Sequence, residues 1–153
     1  MKRTMSIVAT AAAALLIAGL VAQAGADTRR TVTMTVIEHA NTDKVIDVGK
    51  PGDSTGDLLT FHNKVYDDAD AVQVGTDLGD CVRINPKRGS WECRWTTNLE
   101  GGSITVEGPF YDTKDTTMAI TGGTGVYVTA RGSMDLHALD GGERYEFTFN
   151  IEP

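Results

Sequence analysis

The run from Glu143 to Ile151, Glu-Arg-Tyr-Glu-Phe-Thr-Phe-Asn-Ile, places Tyr145, Phe147, Phe149 and Ile151 in strict alternation with Arg144, Glu146, Thr148 and Asn150. One face is apolar and the other polar, which a helix of 3.6 residues per turn cannot use and a strand with one buried side requires. Spacing of two recurs along most of the chain. It predicts eight strands, near residues 30–39, 57–66, 78–85, 91–98, 102–109, 116–121, 126–138 and 143–152. The links contain Pro51–Gly56, Pro86–Gly89, Glu100–Gly102, Gly122–Gly125 and Asp140–Gly142, all rich in turn-forming residues. Eight short strands with tight links make an all-β domain, either an up-and-down barrel or a sandwich. Pattern alone leaves both open.

Residues 1–26 read as a secretory signal peptide: Lys2 and Arg3, then an apolar run from Ile7 to Ala22, then small-residue cleavage sites ending at Ala26. The run is 16 residues long and alanine-rich, below the roughly 20 that span a bilayer, so a secreted, extracytoplasmic protein without stable membrane insertion is expected. Residues 27–153 then form one domain, with 12 basic against 21 acidic residues, a net charge of −9. That balance disfavours nucleic acid and anionic membrane as partners, since both depend on Lys and Arg. Two cysteines in an oxidising compartment read first as a disulfide.

Strand parity suggests what faces inward. Val32, Met34 and Val36 alternate with threonines, and the same parity brings in Glu38, unless the strand ends at Ile37 and turns Glu38 to solvent. A carboxylate on an apolar face must be paired, hydrogen-bonded or neutralised. Centring the 81–95 hairpin on Lys87 sets Cys81 opposite Cys93, Arg83 opposite Trp91 and Val82 opposite Glu92, so a Cys81–Cys93 disulfide is expected. Trp91, Cys93 and Trp95 share a face, taken as the inner one. Arg83 then lies either inside, stacked on Trp91 and able to approach Glu38, or outside on a solvated face. His39, His62 and His137 lack paired-ligand spacing, no serine sits in a nucleophile elbow, and Asp112, Asp115 and Asp135 read as solvated. No cofactor and no metal are expected.

Longer stretches carry a resemblance. Gly102-x-Ile-x-Val-x-Gly-Pro-Phe110, Ala119-Ile-Thr-Gly-Gly-Thr-Gly-Val-Tyr127, and Gly56-Asp-Leu-Leu-Thr-Phe-His-Asn-Lys-Val-Tyr66 resemble the allene oxide cyclase family. The resemblance implies an eight-stranded antiparallel up-and-down β-barrel with a ligand lumen, and by family habit a homotrimer. It implies catalytic roles for Glu38 and Asn63, and a lumen lined by Leu59, Phe61, Trp91 and Phe110. Arg83 joins that lining if it points inward. The chain departs from the pattern at Phe110, where the family has a tyrosine, at Ala40, where it has an asparagine, and at Cys93, which has no counterpart. The resemblance implies a secreted barrel that binds a small apolar molecule and acts as a cyclase or isomerase, with a non-catalytic binder or dirigent-like guide as the alternative.

Overall fold

The computed structural model describes residues 30–152; the signal peptide expected at residues 1–26 lies outside them. The described chain forms nine strands: β1 (Val32–His39), β2 (Lys44–Ile46), β3 (Leu58–Tyr66), β4 (Gln73–Asn85), β5 (Ser90–Leu99), β6 (Gly102–Tyr111), β7 (Thr116–Gly125), β8 (Arg131–Leu139) and β9 (Arg144–Glu152). Every pairing is antiparallel. Around the sheet the order is β1-β9-β8-β7-β6-β5-β4-β3, and β1 pairs with β3 to close an eight-stranded barrel. That closure, made by Ile37–His39 of β1 against Lys64–Tyr66 of β3, settles barrel over sandwich.

The ninth strand, β2, is the addition to the predicted eight. β1 covers only the last residues of β3, Lys64–Tyr66. The first residues of β3, Leu58–Thr60, are left unpaired by β1, and β2 fills that gap. It belongs to a strap, residues 40–57, that runs from β1 to β3.

Two further boundaries moved. The glycine run Gly122–Gly125, expected as a link, is the end of β7 paired to β6, with a register shift at Thr105/Val106. Residues 126–130, expected in the next strand, are successive turns held by Tyr127 N–H to Thr124 O and Ala130 N–H to Tyr127 O. Val126 and Val128 are exposed, so their apolar character marked no strand.

The inner parity is as read for β9: Phe147 and Phe149 are fully buried. Ile104, Val106, Met118 and Met134 join them to fill much of the interior. Across β3, β4 and β5, Phe61, Gly79 and Trp95 lie in one register row. A Cβ at Gly79 would sit 2.4 Å from both the Arg94 carbonyl oxygen and the Trp95 Cβ, so β4 and β5 approach here as only glycine allows, and the Trp95 ring meets Phe61 edge-on at 5.9 Å.

Cys81 and Cys93 pair across β4 and β5 and are disulfide-bonded, as the hairpin register predicts. Replacing both by alanine releases a loop of sequence separation 12. The expected cost is about 3 kcal/mol in the chain-entropy model. Urea unfolding of the double variant measures it; a loss below about 1 kcal/mol would mean that the unfolded chain gains little from the cross-link.

Candidate functional site

Glu38 points inward and is 5% exposed, in keeping with the apolar parity of β1. Asn63, from β3, holds it: Nδ2 donates to Glu38 Oε1 at 2.6 Å and to Asp43 Oδ1 at 2.7 Å. Asn63 Oδ1 accepts from the N–H and the hydroxyl of Thr42, both at 2.9 Å. An asparagine side chain offers two donors and two acceptor sites, and here all are spent. Asn63 therefore fixes Glu38 and fastens the strap through Thr42 and Asp43.

Asp77, on β4 opposite Asn63, was not among the residues picked from sequence. It is fully buried, and although no close side-chain donor reaches its carboxyl oxygens among the described residues, the Glu38 carboxyl and the backbone N–H groups of Asn63 and Asp77 lie near enough to favour its charged form. Its neighbour is the Glu38 carboxyl. Burial raises the Glu38 pKa well above the usual carboxylate range, and Asp77 and Asp43 add like charge to the effect. Burial likewise pushes Asp77 up to about 7. Two buried carboxyls in contact cannot both ionise cheaply, and a proton held between them supplies the close side-chain donor that Asp77 lacks. Thr97, opposite Asp77 on β5, is also buried, and its hydroxyl has no hydrogen-bond partner among the described residues.

Beside the pair lies a cavity of about 30 Å³, room for one or two water molecules. Its apolar wall includes Leu59, Phe61, Trp95, Phe110 and Phe147, with the disulfide between Cys81 and Cys93. Its polar wall is Glu38, Asp43 and Tyr145. Tyr145, another residue missed in sequence as a site group, meets Phe110 edge-on at 5.7 Å. Burial, then the charges of Asp43, Glu38 and Asp112, push its phenol up to about 12.

Arg83 and Trp91 are inside the barrel but not in this wall. Arg83 is 7% exposed and stacks 3.9 Å from the Trp91 ring centroid. Its guanidinium is taken by Asp53 of the strap (2.8 Å) and Asp112 (2.7 Å) rather than by Glu38. Asp112 also accepts from Trp91 Nε1 at 2.8 Å. Asp112→Asn weakens a buried guanidinium pairing whose other partner is half exposed, so a loss of about 2 kcal/mol is expected in urea unfolding. An unchanged midpoint would show that Asp53 alone satisfies Arg83.

Missing Asp77 and Tyr145 had different causes. Tyr145 carried a signal, since it leads the apolar face of β9 while bearing a hydroxyl. Asp77 had none, because β4 was expected to begin at residue 78. Among the described residues no group of three or more His, Cys, Asp or Glu is arranged to hold a metal ion.

The family model for allene oxide cyclase matches residues 31–152. Among solved structures, a pyocyanin demethylase is 30% identical, covering 78% of this chain and 99% of that one with a TM-score of 0.69. A pterocarpan synthase dirigent protein (14% identical, 80% and 84% covered, TM-score 0.66) and a Diels-Alderase from Streptomyces koyangensis (19%, 86% and 74%, 0.64) share the fold. The family match supports an enzyme-like function of the cyclase type. The barrel closure, the motifs of β3, β6 and β7 and the span of the family match agree: the chain belongs to the allene oxide cyclase family.

Proposed function

We propose that the protein is a cyclase- or isomerase-type enzyme that takes a small apolar molecule into its lumen and steers its rearrangement. The observation that carries this reading is Glu38: a buried carboxyl of raised pKa in the wall of an otherwise largely aromatic cavity. Perturbed carboxyls in a cavity are the usual mark of proton transfer or charge stabilisation. In this reading Glu38 and Asp77 share one proton, so the pair gives it up or takes it back and leaves a negative charge facing a developing cation. Asn63 is a positioning residue. Tyr145 stays protonated and offers its O–H to a departing oxygen, a service that Phe110 cannot render.

The aromatic wall restricts the conformer that reacts. A space of about 30 Å³ accepts the reacting end of a substrate, and anything longer requires the strap, residues 40–57, to lift. We place the work outside the cytoplasm, supported by the leader-like residues 1–26 and by the disulfide.

The test is chiral analysis of the cyclopentenone formed when the protein meets freshly generated fatty-acid allene oxide. A strong excess of one enantiomer over the protein-free control is expected. Racemic product sinks ring closure of that substrate. A second reading, a lumen that binds without catalysis, is favoured by the disulfide at Cys81 and by Phe110; it then predicts saturable binding of an apolar probe with no product formed.

A further inference from the structure

Both tryptophans of β5 are buried, and they differ in one respect. Trp91 Nε1 donates to Asp112 Oδ1 at 2.8 Å. Trp95 is 4% exposed, and its Nε1 meets no acceptor among the described residues. An indole N–H can only donate, and a buried tryptophan usually finds a partner for it. Left unpaired, the group has lost its hydration and gained no bond.

The place of this donor gives it a meaning. Buried side-chain groups without a close partner among the described residues are found on Asp77, Trp95 and Thr97. Of these three residues, Trp95 alone stands in the wall of the cavity that Glu38 shares. Phe61 meets its ring edge-on at 5.9 Å, and Phe147 lies tilted against it at 5.3 Å. The indole is therefore packed in place, and an acceptor has to come to it. The same wall holds the carboxyls of Glu38 and Asp43 and, among the described residues, no Lys, Arg or His. An anionic group entering the space would meet like charge and no cation to balance it. A neutral oxygen would meet an unspent N–H. The space of about 30 Å³ matches one or two waters, and a carbonyl group is of that size.

We infer that Trp95 orients the ligand: its Nε1–H donates to a neutral oxygen, a carbonyl or a cyclic ether, at the leading end of an otherwise apolar molecule. This inference rests on the reading of the lumen as a small-molecule site, and it adds the polar group that enters first and the residue that receives it. Tyr145, the other neutral donor in the wall, can also accept a hydrogen bond, whereas the indole cannot. Trp95 is thus the group that discriminates. An analogue without the oxygen leaves the buried N–H unpaired, the condition under which a polar site rejects a ligand most strongly.

Two probes of one shape test the contact: cyclopentanone, and methylenecyclopentane, in which a methylene group replaces the oxygen. Only the oxygen end has to enter the space. The chain has two tryptophans, so an NMR spectrum of isotope-labelled protein carries two indole N–H signals. They are told apart by their neighbours, Phe61 for Trp95 and Arg83 for Trp91. Cyclopentanone should move the Trp95 signal downfield and leave that of Trp91, already bonded to Asp112, in place. Methylenecyclopentane should produce no downfield movement. Trp95→Phe, checked for a native spectrum, should weaken cyclopentanone binding about three- to tenfold, the share of one hydrogen bond. The hydrocarbon should then bind within about twofold of its affinity for the parent, since it never used the N–H. Should the variant not fold, the two signals of the parent decide alone. Cyclopentanone bound with the Trp95 signal unmoved overturns the inference and leaves the lumen reading intact. Failure of both probes to bind overturns the two together. A downfield shift together with racemic product in the allene oxide assay upholds the inference while the cyclase reading fails.

Discussion

Raising the pH from 5 to 8 should cost this protein several kcal/mol of stability. The cause is the carboxyl pair. In the unfolded chain Asp77 and Glu38 ionise near 4. In the folded barrel Asp77 is raised to about 7 and Glu38 is raised well above its ordinary range, both chiefly by burial. Between those limits the native state retains protons that the unfolded state has released, so stability falls as pH rises. A single carboxyl moved by about three units accounts for roughly 4 kcal/mol. The loss begins above pH 4 and is complete for Asp77 once pH has passed about 7.

Asp57, Asp70 and Asp115 act in the opposite sense, since hydrogen bonds lower their pKa values. Their contribution is present above pH 4 and is lost only below it. Stability should therefore peak near pH 4 to 5, on the acid side of the pH 5 to 8 range in which most proteins are most stable. Urea unfolding at pH 5 and pH 8 measures the difference. Asp77→Asn should flatten the profile and be more stable than the parent at pH 8. A parent at least as stable at pH 8 as at pH 5 would refute the buried pair.

β4 shows which parts of this site sequence could reveal. Its bulky apolar residues, Val74, Leu78, Val82 and Ile84, face outward and are exposed. Its inner row is Gly75, Asp77, Gly79, Cys81 and Arg83. Period-two reasoning assigns the apolar parity to the core, and here that assignment is inverted because the partners are so large. Trp95 and Phe61 fill the space on either side of Gly79, so β4 must be slim inside. The disulfide hairpin recovered the true parity from Cys81 onward, through a turn whose geometry is local. Nothing local extended that register back to Asp77.

Where patterns were regular, the reading held. β9 and the inward turn of Glu38 were both legible from alternation, and the barrel closure followed from the resemblance. The strap was not legible. β2 exists because β3 outruns β1, a mismatch between two strands far apart in sequence. Asp43 reaches the site only through that mismatch, held by the Asn63 amide.

Glu38→Gln should reduce turnover by about 100- to 1,000-fold, the range in which a positioned acid or base works. Glutamine preserves the side-chain length and an oxygen to accept from Asn63 Nδ2, the bond seen at 2.6 Å. It cannot give up a proton to Asp77 or carry a charge toward the cavity. The fall should therefore appear in kcat, with KM little changed, because the lost interaction belongs to the transition state. Folding offers the control. Removing one of two coupled acids lowers the cost of burying the other, so the variant should be at least as stable as the parent at pH 8. A variant that folds and binds as the parent does and also turns over as the parent does would take Glu38 out of the chemistry. The rate would then have to come from the shape of the aromatic wall, and Trp95, whose Cβ comes within 2.4 Å of where a Cβ at Gly79 would lie and whose ring stands in that wall, would become the residue on which activity depends.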